Sequence, residues 1–226
     1  MTAASASAIA QRLNEIRPTI PPSVRLIAVS KQMPVEAIRS AYAAGVRDFG
    51  ESRVQEAEEK QAQLRDLTDI TWHLIGHLQS NKAAKALELF DYIHSVDSLK
   101  LAQRLDAIAK SLAVKPKILL QVKLRPDPNK FGWDPVELWT DLPVLDTLDH
   151  LDIQGLMVIA PYGLPEQETL ALFVEARDLA ATIQQHPWSR LTMQELSMGM
   201  SEDYLLAIQA GATMVRLGRT LFGERT

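Results

Sequence analysis

Cysteine is absent from this 226-residue chain. That removes disulfides, thiolate metal centres and cysteine nucleophiles from consideration. No apolar run approaches the roughly 20 residues that a helix needs to cross a bilayer. The opening Met1-Thr2-Ala3-Ala4-Ser5-Ala6-Ser7 has neither the basic start nor the apolar centre of a secretory signal, so a cytoplasmic protein is expected. Positive charge is also short. With 24 Lys and Arg against 28 Asp and Glu, the formal net charge is −4. Such a chain has no general attraction to nucleic acid or to an anionic membrane surface. The glycine-rich GxGxxG turn of a dinucleotide fold does not follow Val29 either.

What is present is a repeating pattern. The composition is 46% hydrophobic and 23% charged, enough for one large α/β barrel or two small domains. Short apolar runs predict strands at 25–30, 48–50, 72–76, 92–96, 117–124, 153–160, 195–200 and 214–222. Helical periodicity predicts helices at 35–44, 54–64, 82–89, 99–112, 135–148, 166–185 and 203–210. Pro34 and Pro165 precede two of these, Asp97 and Ser201 stand at N-cap positions, and Gly45 and Gly211 fall where helices should stop. Eight strands in strict alternation with helices, with no break in composition, indicate one α/β domain over residues 1–226, a single (β/α)8 TIM-type barrel. Little chain follows Phe222 for an eighth outer helix. Ile9, Leu13 and Ile16, at helical spacing, predict an N-terminal helix that closes this gap.

In such a barrel the chemistry sits at the C-terminal ends of the strands, with phosphate near the loops after strands seven and eight. Lys31 closes the first strand. Partial burial there makes an amine a usable nucleophile or Schiff-base former, against the plainer reading of a snorkelling surface lysine. Ser201 ends the segment Ser197-Met198-Gly199-Met200-Ser201, where a hydroxyl with backbone N–H groups behind it suits an anion; an ordinary helix cap is the alternative. Glu202 and Asp203 would disfavour phosphate unless they point away. In Val215-Arg216-Leu217-Gly218-Arg219, Gly218 permits close backbone approach to a ligand. Arg216 points either into the barrel mouth or to a core carboxylate, and Arg219 reads equally as a solvated loop residue. Strands eight and one are neighbours in a closed barrel. A phosphorylated aldehyde could then be anchored on one side and joined to Lys31 on the other, and pyridoxal 5′-phosphate (PLP) is the commonest such ligand.

With these residues in place, the chain resembles the pyridoxal-phosphate homeostasis protein family, single-domain relatives of the alanine racemase barrel (PLP fold type III). The likeness rests on Ala28-Val29-Ser30-Lys31, Phe49-Gly50-Glu51-Ser52-Arg53-Val54-Gln55-Glu56 and Trp72-His73-Leu74-Ile75-Gly76-His77-Leu78-Gln79-Ser80-Asn81-Lys82. His94-Ser95-Val96-Asp97-Ser98, Gly155-Leu156-Met157 and the two phosphate-side segments complete it. The resemblance implies that Lys31 carries the cofactor as an aldimine. It further implies that Ser201 and Gly218, with the backbone of Arg219, hold the phosphate. Arg216, Ser52 and Met198 belong to the same cofactor surroundings, although Met157, Met198 and Met200 by themselves read as core. Ser52 and Lys123 depart from the asparagines usual in relatives.

His73 and His77 share an H-x3-H spacing that invites zinc, but a strand entering a loop does not put both rings on one face. Lys130 in the loop 125–130 reads as a solvated lysine, or as a second amine that relays the cofactor. Asn81 and Lys82 open a helix and either line the pocket or cap it.

A racemase needs acid and base groups on both faces of the imine. In alanine racemases the second is a tyrosine from another domain and the partner subunit, and this chain is expected to have no second domain. Of Tyr42, Tyr92, Tyr162 and Tyr204, only Tyr162 is expected at the active face. An arginine at the pyridine nitrogen would also weaken the ring as an electron sink. The resemblance therefore implies a PLP-binding protein of vitamin B6 and amino- and keto-acid balance, with no robust catalysis. The expected form is a monomer whose protein partners are PLP-dependent apoenzymes or a regulatory protein. A weak PLP-dependent racemase or lyase is the alternative, and a Schiff-base aldolase without cofactor explains fewer of the motifs.

Overall fold

The computed structural model describes residues 6–126 and 131–223. Eight parallel strands close into a barrel in sequence order. They are β1 (Arg25–Val29), β2 (Asp48–Glu51), β3 (Thr71–Leu74), β4 (Tyr92–Val96), β5 (Lys117–Val122), β6 (Asp152–Val158), β7 (Glu195–Ser197) and β8 (Met214–Leu217). The barrel closes by pairing β1 with β8, Ala28 opposite Leu217.

The outer layer is α2 (Val35–Ala43), α3 (Val54–Gln63), α4 (Ala83–Leu89), α5 (Leu99–Leu112), α6 (Pro135–Leu145), α7 (Glu166–Gln184) and α8 (Tyr204–Ala210), followed by the short α9 (Arg219–Phe222). The first helix, α1 (Ala6–Ile16), packs on α2 and α9, burying Ile9, Leu13 and Ile16 where an eighth outer helix would lie. The anticipated closure by the N-terminal segment is therefore observed.

Several boundaries differ from expectation. The run 214–222 is a strand only to Leu217; Gly218 then opens a helical turn that buries Leu221 and Phe222. A short apolar run does not distinguish these two states. The strand expected at 195–200 stops at Ser197. Ser201 is not the cap of α8: that helix begins at Tyr204 with Asp203 before it. Ser98, not Asp97, caps α5 by accepting from the Leu101 N–H. Residues 80–82 form a 3-10 turn before α4. Gly211 caps α8 with φ of +104°, as expected.

Side chains fill the barrel interior. A lower apolar layer consists of Ile27, Tyr92, Leu119, Met157 and Met214. At the N-terminal end of the strands, Arg25 and Lys117 stand over the Tyr92 ring, 5.1 and 4.8 Å from its centroid, and Arg25 lies 3.7 Å from Asp48. Above the apolar layer the interior turns polar, and there the site begins. Among the described residues, no helix is long and apolar enough to cross a membrane.

Candidate functional site

A cavity of about 700 Å³ opens at the C-terminal ends of the strands, and Lys31, Ser52, Ser201, Arg216, Gly218 and Arg219 all line it. The β1–β8 pairing brings the amine of the first strand and the turn after the eighth into one space, as the sequence order requires.

Lys31 stands on a strongly supported segment. The preceding Ser30 donates from its hydroxyl to Glu51 Oε1 at 2.7 Å, and its carbonyl accepts from Lys60 Nζ at 2.7 Å. Lys60 of α3 also reaches Glu51 at 2.8 Å and Glu56 at 2.6 Å. Glu56 in turn accepts from the backbone N–H of Gln32. Gln32 has φ of +62°, a left-handed conformation costing roughly 1–2 kcal/mol for a residue other than glycine. The ion-pair cluster thus fixes the backbone on both sides of Lys31. Burial pushes the Glu51 carboxyl up, further than Lys60 and Ser30 draw it down. At Glu56 burial also pulls upward, but the hydrogen bonds from Lys60 and Gln32 outweigh it and the carboxyl lies below its ordinary value.

On the opposite side, Ser201 Oγ accepts from the backbone N–H groups of Gly218 and Thr220, each at 3.3 Å. The hydroxyl and these donors converge on one place without Ser201 serving as the cap of α8. The three atoms nearest a Cβ placed on Gly218 all belong to Val29, at 3.5 Å and beyond, and its φ is negative. Packing therefore does not demand glycine there, which leaves room on the cavity side. The two nearby acids are already engaged: Glu202 pairs with Arg219, and Asp203 Oδ1 accepts from the Met200 N–H at 2.6 Å. The Arg219 side chain is thus a half-exposed surface ion pair, which fits the solvated reading, while its backbone begins α9. Met198 departs from its expected place. It is buried in the apolar core and does not line the cavity, whereas Met200 does.

Arg216 is buried in the barrel interior and pairs with no carboxylate among the described residues. Its Nη1 donates to the carbonyl and hydroxyl of Ser197, both at 2.7 Å, and Nη2 donates to the Val158 carbonyl at 3.0 Å. Burial lowers its pKa to about 10, with Asp203 pulling the other way, so it stays charged at neutral pH.

Beyond Ser197 the polar chain continues. Ser197 Oγ lies 2.8 Å from His94 Nδ1, His94 Nε2 lies 2.9 Å from His73 Nδ1, and His73 Nε2 lies 3.0 Å from Asp48 Oδ1. Arginine can only donate, so the serine proton is left for His94 Nδ1. Each neutral imidazole then carries its proton on Nε2 and passes a hydrogen bond toward Asp48. Both rings favour the neutral form: burial lowers His73, and burial followed by its charged and imidazole neighbours lowers His94 further. This interior chain holds Arg216 in one orientation at the floor of the cavity.

His73 and His77 diverge. His73 is in the interior chain, while His77 pairs with Asp97 at 2.8 Å and stacks on Phe131. Tyr162 lines the cavity but is 91% exposed. Lys123 lies outside the cavity lining, and Lys130 is outside the described residues. Sequence reasoning missed Glu51, Lys60, Ser197 and His94. A lysine on the buried i, i+3, i+6 face of α3 (Val54, Ala57, Lys60) was the available signal for the first pair.

A parallel barrel with an amine just past the first strand and convergent N–H and hydroxyl groups beside the eighth defines a class, the alanine racemase-type barrel. The family model described as the alanine racemase N-terminal domain matches residues 5–226. More narrowly, the chain belongs to the pyridoxal phosphate homeostasis protein family. It is 54% identical over 212 residues to the pyridoxal phosphate homeostasis protein of Synechocystis sp., covering 94% of this chain and 96% of that one. The protein of the same name from Pseudomonas aeruginosa is 42% identical, over 91% of this chain and 86% of its own. PipY of Synechococcus elongatus, solved with PLP bound, superposes with a TM-score of 0.91 at 60% identity, over 95% of this chain and 100% of that one. Alanine racemase of Clostridium difficile shares the fold alone, with a TM-score of 0.77 at 16% identity, and this chain spans 57% of its length.

Proposed function

We propose that this chain binds PLP in the barrel mouth and serves in PLP homeostasis as a holder of the cofactor rather than as a catalyst. The observation that carries this reading is that Lys31 and the Ser201–Gly218 turn line one cavity. The residues suit the group. In this reading the Lys31 amine adds to the cofactor's aldehyde carbon and water leaves, giving a Schiff base. Ser201 and the N–H groups at Gly218 and Arg219 take the phosphate, and Ser52 borders the ring. Arg216, held at the cavity floor by Ser197 and Val158, would stand beside the bound cofactor. PLP supplies an aldehyde and an electron-withdrawing ring, and a permanently charged guanidinium at the pyridine nitrogen would keep it unprotonated and weaken the sink.

The names of the relatives support holding over turnover. So does the exposed position of Tyr162, whose hydroxyl makes no hydrogen bond among the described residues and is not held against a reacting carbon. One chain supplies every residue used, which favours a working monomer. Handing the cofactor to apoenzymes, with effects on amino- and keto-acid pools, follows from an open mouth. It predicts transfer to an apoenzyme faster than passive release, and equal rates would contradict it.

The binding reading is tested by PLP titration of Ser201→Ala. Losing a hydrogen bond to a charged phosphate is worth about 1.5–3 kcal/mol, so the affinity should fall by roughly ten- to a hundredfold. An unchanged affinity would remove Ser201 from the site. Amino-acid racemisation above that of a Lys31→Ala control would instead favour the catalytic alternative.

A further inference from the structure

We propose that a second lobe of the barrel mouth binds the carboxylate of an amino acid or a 2-oxo acid beside the cofactor; the inference rests on the PLP reading for its neighbour. This lobe, about 600 Å³, lies over the β2, β3 and β5 ends and shares Lys31, Ser52, Ile75 and Ile159 with the first. Besides Lys31, two further cations among the described residues line it, Arg53 just before α3 and Lys82 on the turn before α4.

Neither side chain makes a hydrogen bond or ion pair among the described residues; Arg53 is exposed and Lys82 half-buried. Among the described residues no carboxylate lines the lobe; its other polar groups include the amides of Gln55, Gln79 and Gln121. Glu56, the acid whose charge Arg53 feels, is already committed to Lys60 and Gln32. His77, paired with Asp97 and stacked on Phe131, forms part of the wall.

Two like charges without an ion-pair partner line one concave space, where the surrounding protein focuses their field and an anion would meet both. The planar fork of an arginine fits a carboxylate with two parallel hydrogen bonds. The phosphate of PLP already has its donors on the β7–β8 side, so this lobe is left for a different anion. Because it borders Lys31, where an amine or carbonyl compound would meet the cofactor, the class that fits is a small acid carrying one of those groups.

The probe is succinate, which has carboxylates but neither amine nor carbonyl and so cannot react with the cofactor. Calorimetric titration is made on cofactor-free and PLP-loaded protein, with succinamide and inorganic phosphate as comparisons. Wild-type protein should bind succinate but not succinamide. The Arg53→Ala/Lys82→Ala double variant should bind at least tenfold more weakly, and Arg53→Lys/Lys82→Arg, which keeps the charges, should recover most of the loss. Thermal melts establish that each variant is folded.

Equal affinity in the double variant, binding of succinamide, or phosphate bound to the PLP-loaded protein as tightly as succinate would each overturn the carboxylate site. The two readings fail separately. Protein that takes up PLP but ignores succinate loses this inference alone. Protein that binds succinate and never takes up PLP loses the cofactor reading.

Discussion

Lys60 is a buried ammonium with three oxygen partners, and its charge does the most to hold the backbone around Lys31. Removing it leaves Glu51 buried and uncompensated, with Oε2 already lacking a hydrogen bond. Lys60→Ala should cost about 3–5 kcal/mol in urea unfolding. Because Gln32 is held left-handed through Glu56, the same change should also weaken PLP binding. A variant of wild-type stability would show the cluster to be incidental.

His94 and His73 make a second residue-scale prediction. Both have pKa values depressed below the ordinary 6.5 by burial. Below that pH the unfolded chain binds protons that the folded protein does not, so stability falls as pH drops, by up to about 1.4 kcal/mol per pH unit for each ring. Unfolding midpoints followed from pH 7.5 to 5 in wild type and in His94→Asn should differ in slope, the variant falling less steeply. Identical slopes would mean that His94 takes up its proton as readily in the fold as in the unfolded chain.

At the scale of elements, Gly155 in β6 lies so close to β7 that an added Cβ would sit 1.8 Å from the Glu195 carbonyl oxygen. Gly155→Ala must push these strands apart, and β7 carries Ser197, the anchor of Arg216. The expected result is a loss of several kcal/mol in stability together with a weaker grip on the cofactor; a fully stable variant would contradict the strand spacing. Leu13→Ala in α1 should cost about 2–5 kcal/mol, because that side chain is buried where α1 closes the barrel.

Elements of this kind were largely legible in the sequence. The β–α alternation reported strand number and order, and helix 99–112 agrees with α5 at both ends. Legibility failed where an apolar run ended at a glycine: 214–222 has one composition but two conformations, because Gly218 starts a turn that periodicity does not register. It failed again for Ser201, where a cap-like residue before a helix satisfies N–H groups of a different segment. The interior chain through His94 and Ser197 was hidden for another reason. Those residues are 103 positions apart, and only the closed barrel brings them together.

For the whole molecule, the closed order of strands is what joins an amine from the start of the chain to a phosphate-suited turn at its end. The barrel supplies rigidity from below through the Arg216–Ser197–His94–His73–Asp48 chain, and from the side through Lys60. Its open face supplies access. That combination suits a protein that holds a reactive aldehyde and releases it again. The most direct check is the visible absorption of protein equilibrated with PLP, before and after borohydride, followed by peptide mass mapping in wild type and Lys31→Ala. The account predicts a yellow band that borohydride abolishes, a reduced PLP adduct on Lys31, and neither in the variant. A colourless protein, or an adduct on some other lysine, would contradict it.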